Sequence, residues 1–140
     1  MRDEISQADI MTAFLQAVLD YGQPEMAAHL NVAVSTLSNK LQPYDSPERR
    51  HYLNLLEADS ILTMKRDYRA LELLAARHGF VLLPMAVTPD AATAAEEALQ
   101  DIQDMAAYQA EKNPVKRVHL MNSLFRNVME TEAKRGKGKP

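Results

Sequence analysis

The sequence predicts an all-α protein: a first domain of about five helices, then a C-terminal helical extension. Three observations carry this. Apolar residues recur at three- and four-residue spacing along most of the chain, eight Met with abundant Leu and Ala favour helix, and Pro, Gly and Asn fall between the periodic runs as helix punctuation. At 140 residues the chain suits one ordinary domain or a small domain with an extension, and is long enough to bury a core.

From about Ala8 to Tyr21, Ile10, Met11, Phe14, Leu15, Val18 and Leu19 hold helical spacing until Gly22 ends the pattern. The next stretch, QPEMAAHLNVAVSTLSNKL over residues 23–41, reads as two short helices joined by a tight corner. Pro24 suits a first helical turn, Ala27 is small enough for two helices to cross, and Asn31 tolerates the left-handed backbone of a helix stop. Ser35 can cap or open the second helix, with Val34, Leu37 and Leu41 turned inward and Thr36, Ser38, Asn39 and Lys40 turned elsewhere. Such a pair is the helix-turn-helix layout, in which the second helix enters the major groove of DNA. Its hydroxyl, amide and ammonium groups can meet phosphates and base edges without bringing negative charge to the duplex.

Residues 42–53 contain two prolines and several turn formers and read as a loop, with Ser46-Pro47 able to start a helical turn. Arg49 and Arg50 fall here, placed either to grip phosphates or to stand as solvated charges beside Asp45 and Glu48. Asn54 with Glu57 three residues on fits a capping box, opening a helix that runs through Leu55, Ala58, Ile61 and Leu62 to about Met64. After a break at Lys65-Arg66, Asp67 can cap a helix whose Leu71, Leu74 and Ala75 face inward, with Gly79 as its stop. The run from Phe80 to Met85 is short, apolar and partly β-branched, and reads as a strand or an extended segment.

A linker at Thr88-Pro89-Asp90 leads into an Ala-rich acidic helix ending near Lys112, with a thin apolar stripe of Ala95, Leu99, Ile102, Met105 and Ala106. Asn113-Pro114 breaks it. A basic helix follows, with Val118, Met121, Leu124, Phe125, Val128 and Met129 at helical period. Residues 87–111 carry six acids and no Lys or Arg, whereas residues 112–140 carry eight Lys or Arg against two acids. Opposite charge predicts that these helices pair with each other or with the same region of a second subunit. The domains expected are 1–85, a helix-turn-helix DNA-binding domain; 86–134, a helical hairpin for oligomerisation; and 135–140, a disordered basic tail that either adds weak attraction to DNA or is simply solvated. On this division, a chain lacking residues 87–140 should remain a folded monomer.

Composition excludes several classes. Zero Cys rules out disulfides and thiolate metal or redox sites. His29, His51, His78 and His119 lack ligand spacing, none of the four glycines forms a phosphate-cradling loop, and neither Glu96-Glu97 nor Ser35 and Ser38 has a partner for acid/base or nucleophilic work, so no enzyme, metal or cofactor is expected. The absence of a long apolar run and the acidic N-terminus point away from membranes and secretion and towards the cytoplasm. The net charge of −3 argues against a strongly electrostatic nucleic-acid binder, so a dimer or tetramer would be needed to multiply modest contacts. A helical protein-interaction module that never touches DNA is the alternative.

Three blocks, AAHLNVAVSTLSNKLQP (27–43), HYLNLLEADSIL (51–62) and DYRALELLAARHGFVLLP (67–84), occur in this order between residues 27 and 84. In that succession the sequence resembles the phage regulatory protein CII family of temperate phages and prophages, distinct from the lambda protein of the same name. The resemblance implies a lambda-repressor-like helical domain and a transcriptional regulator of the lysogeny choice, with RNA polymerase as a further partner if it activates. It implies double-stranded DNA contacts from Ser35, Thr36, Ser38, Asn39 and Lys40, with Gln23 near a phosphate.

Overall fold

The structure, a computed structural model, describes residues 4–42, 46–47, 50–83 and 94–137. The described residues form seven helices and no strand: α1 (Gln7–Tyr21), α2 (Gln23–His29), α3 (Val34–Lys40), α4 (Leu55–Lys65), α5 (Arg69–Arg77), α6 (Ala94–Ala110) and α7 (Pro114–Lys137). The protein is all-α. The linker around Thr88-Pro89-Asp90, the chain beyond Leu83 up to it, the side chain of Ala95 and residues 138–140 lie outside the described residues.

Local chemistry sets most helix ends. Ser6 opens α1 with a capping box: its hydroxyl accepts from the Asp9 amide at 3.1 Å and Asp9 accepts from the Ser6 amide at 2.7 Å. Gly22 both ends α1, donating to the Val18 carbonyl at 2.9 Å, and precedes α2 at φ 116°. That backbone disfavours any side chain, and a Cβ here would also run into the Glu25 carboxylate. The Asn54–Glu57 capping box expected from the sequence is present, with the Glu57 amide donating to Asn54 at 2.8 Å and the Asn54 amide to Glu57 at 3.1 Å. Arg66, left-handed at φ 52°, ends α4. Gly79, at φ 83°, ends α5 in a Schellman arrangement, the Phe80 amide donating to Ala75 and the Gly79 amide to Ala76.

Asp67 does not take the N-cap position of α5, which belongs to Tyr68. Instead its carboxylate grips Arg69 two residues on, accepting from Nε at 2.9 Å and Nη2 at 2.5 Å, while Nη2 also reaches Asp20 on α1 at 3.2 Å. The hydrogen-bonded guanidinium holds the Asp67 carboxyl below its ordinary range, and Asp67 raises Arg69 in return.

The core gathers Ile5, Ile10, Phe14, Ala17 and Val18 against Met26 and Ala27, Leu37 and Leu41, Ile61, and Ala70, Leu73 and Ala76. Arg77 reaches back to the Ile5 carbonyl at 2.6 Å, tying α5 to the start of the chain. On α5 the buried positions are therefore Ala70, Leu73 and Ala76, not the expected Leu71, Leu74 and Ala75. The reason is tertiary: α5 lies along α1, which leaves Leu74 exposed and turns Leu71 to the flank, where it lines a recess with Leu82, Leu83 and Asn122. Residues 80–83 are neither helix nor strand, and the Leu82 amide donates to Asn122 on α7 at 3.1 Å.

α6 and α7 run antiparallel: Asp101 accepts from Thr131 at 2.8 Å, Asp104 from Asn127, and the Arg117 guanidinium lies 5.1 Å from the Tyr108 ring centre. On α6, Asp101, Asp104 and Tyr108 thus meet α7, while Leu99 and Ile102 are more than half exposed and Ile102 and Met105 line a shallow recess with Leu124 and Val128 of α7. Val118, fully buried, joins the same core as α1 to α5, and Val115 packs against it. The helix also continues to Lys137, past residue 135 where the sequence suggests a disordered tail.

Candidate nucleic-acid interface

The α2–α3 corner follows from three residues. Asn31 adopts the left-handed conformation at φ 56°, and the helix stop around it is again a Schellman arrangement: the Val32 amide donates to Ala27 at 3.0 Å and the Asn31 amide to Ala28 at 3.1 Å. Ala27, essentially buried, leaves no side chain to hold the helices apart. Leu37 and Leu41 anchor α3 to the core below, with Leu30 and Val32 packed against its edge.

Seated in this way, α3 presents Ser35 and Ser38 to solvent, with Thr36 half-buried beside them. Ala33, not Ser35, is the N-cap and gives no side-chain hydrogen bond, so Ser35 stands one residue inside the helix. Val34, expected to point inward with Leu37 and Leu41, is 44% exposed at the head of α3. It lies beyond the edge of the core that Leu37 and Leu41 reach. Gln23, at the first position of α2, is half-buried.

The C-terminal end of α3 is engaged inside the molecule. Asn39 Oδ1 accepts from two consecutive amides, Arg50 at 2.9 Å and His51 at 2.8 Å. Lys40 Nζ donates to Glu57 Oε1 at 2.7 Å and to the Tyr52 carbonyl at 3.3 Å, its side chain only 13% exposed and that of Glu57 11%. Lys40 therefore does not share the solvated surface of Ser35 and Ser38. Arg50 is exposed just beyond, and Arg49 lies outside the described residues. Of the residues singled out in the sequence, Ser35, Thr36 and Ser38 share the accessible side of α3, Arg50 is exposed next to its C-terminal end, and Asn39 and Lys40 are bonded to residues 50–57. Glu57, read in the sequence only as a cap, is the partner the sequence did not reveal.

No group of three or more His, Cys, Asp or Glu among the described residues is placed to hold a metal. No helix among them is long and apolar enough to cross a membrane.

These features define a small all-helical protein that carries one short, outward-facing polar helix on a two-helix corner. The chain belongs to the family described as phage regulatory protein CII, whose model matches residues 9–132. Neither a curated protein nor a solved structure matches the chain.

Proposed function

We propose that this family member is a sequence-specific DNA-binding transcriptional regulator of phage or prophage origin, acting in the lysogeny decision. The observation that carries the reading is the mounting of α3: buried by Leu37 and Leu41 on one side, it leaves Val34, Ser35 and Ser38 accessible near its N-terminal end. Recognition helices present base contacts from that end. Ser35, Thr36 and Ser38 supply hydroxyls for base edges or phosphates, Gln23 reaches a phosphate from the start of α2, and Arg49 and Arg50 neutralise backbone charge from the following loop.

The weak charge of one subunit argues for a homo-oligomer, a dimer or tetramer that places two or more copies of α3 on half-sites one or two helical turns apart. The exposed Leu99 of α6, with Ile102 and Met105 in a recess they share with Leu124 and Val128 of α7, offers an apolar face suited to a second copy. Contact with RNA polymerase belongs to this reading if the protein activates transcription.

The test is selection of bound fragments from random duplexes by the full chain, followed by binding at increasing salt. A recurring motif whose affinity falls steeply with salt is the expected result. Absence of any enriched motif, with salt-insensitive association to a protein partner instead, would move the assignment to a helical interaction module.

A further inference from the structure

The two polar residues at the end of α3 that look most like DNA contacts in the sequence have chemistry that suits them to another task. An Asn reads adenine by accepting from its exocyclic amino group while donating to the ring nitrogen, so it needs its carbonyl oxygen. In Asn39 that oxygen already takes the Arg50 and His51 amides, at 2.9 and 2.8 Å, and has no lone pair left for a base. Lys40 is constrained in a similar way. Turning its ammonium to a phosphate would break the 2.7 Å contact to Glu57 and strand a carboxylate whose side chain is 11% exposed. Glu57 cannot follow, because the same Oε1 accepts from the Asn54 amide and caps α4.

We propose that Asn39 and Lys40 are positioning residues: together with Glu57 they clamp residues 50–54 and the head of α4 to the end of α3, and so set where Arg50 stands beside a duplex. This rests on the DNA-binding reading and narrows it. Base reading falls to Val34, Ser35, Thr36 and Ser38, and the phosphate contact on this side to Arg50. The clamp joins segments 11 to 17 residues apart in sequence through four hydrogen bonds to two adjacent helix residues. Residues 50–52 are thereby given one position relative to the reading surface.

The experiment measures affinity of the full chain for its selected duplex against salt, for wild type, Lys40→Met, Glu57→Gln and the double variant, with circular dichroism to verify folding. A positioning role lowers affinity roughly three- to tenfold in both single variants, flattens the salt slope equally in both as Arg50 leaves its phosphate, and makes the double variant no worse than the weaker single one. A Lys40 that itself touches a phosphate instead flattens the slope by about 0.9 in Lys40→Met alone, with Glu57→Gln binding as tightly as wild type or tighter because the acid no longer competes with DNA for that lysine. That result overturns the proposal. Amide hydrogen exchange on the wild-type chain, free and bound, needs no variant: the Arg50 and His51 amides should stay protected in both states, and their release on binding would show Asn39 turning to a base. A wild-type chain that binds no duplex defeats the functional reading beneath the proposal; binding with exposed amides, or a slope flattened in Lys40→Met but not in Glu57→Gln, defeats the clamp alone.

Discussion

His119 Nδ1 lies 2.6 Å from Glu72 Oε2, fastening the N-terminal part of α7 to the flank of α5. The residue before it, Val118, is sealed in the core shared with α1 and α5, and about one turn after it Asn122 holds the Leu82 amide. The C-terminal helix is thus a structural part of the domain that carries α3. Removing residues 87–140 takes Val118 and Val115 from that core and uncovers Leu73, so the truncated chain should lose cooperative folding rather than persist as the monomer expected from the sequence. The milder Val118→Ala should cost about 2 kcal/mol, read from chemical denaturation. A truncated chain that melts with the midpoint of the full-length protein would refute this.

The Asp67–Arg69 pair sets an acid limit. Because Arg69 lowers the Asp67 carboxyl in the folded state, the pair stabilises the fold fully above the ordinary carboxylate value and loses that contribution as pH falls through the lowered one. The Arg69 side chain is 41% exposed, so the contribution at neutral pH is modest, about 1 kcal/mol or less. Asp67→Asn should therefore destabilise near pH 7 by that amount and the difference from wild type should close in strong acid. Thermal melts across the acid range would show it, and an equal deficit at every pH would assign the loss to packing.

Much of the fold was legible because short-range backbone physics decides it. Asn31 and Gly79 stop helices through left-handed residues, and Asn54 with Glu57 caps α4 across three positions; all of this can be read along the chain. Helical period located α1, α3 and α7 for the same reason. What spacing could not supply was direction in three dimensions. It pointed Val34 and Leu74 inward, although the core ends before Val34 and α1 meets the Ala70 and Leu73 side of α5. It also left Lys40 facing solvent, because its partner Glu57 lies 17 residues on, beyond a turn-rich loop.

Val34 suggests a test of the reading surface. An exposed valine at the head of a recognition helix can only make apolar contact in the groove, and the C5-methyl of thymine is the apolar group there. Replacing thymine by uracil at one position of a single half-site should weaken binding by the wild-type chain by roughly fourfold, the worth of one buried methyl at about 0.8 kcal/mol. For Val34→Ala the same replacement should cost less, since the methyl's partner has gone. Identical penalties for both proteins at every thymine would remove Val34 from the interface.

The outer face of α6 makes the last prediction. Asp101 and Asp104 hydrogen-bond to α7 while Leu99, Ile102 and Met105 stay exposed, the last two at the edge of the seam beside Leu124 and Val128, which leaves apolar surface in water. A second copy covering that face explains the pattern, with the carboxylates holding the hairpin together and the apolar stripe left for the neighbour. Ile102→Asp places a charge in the centre of the stripe without touching the Asp101–Thr131 and Asp104–Asn127 hydrogen bonds between α6 and α7, so each subunit should fold as before. On the proposed assembly, the wild-type chain should sediment as a dimer or tetramer and the variant as a monomer, with its binding to a paired site reduced to that of a single half-site. If Ile102→Asp sediments as the wild type does, assembly runs through another surface, and the spacing of the half-sites must be set elsewhere in the molecule.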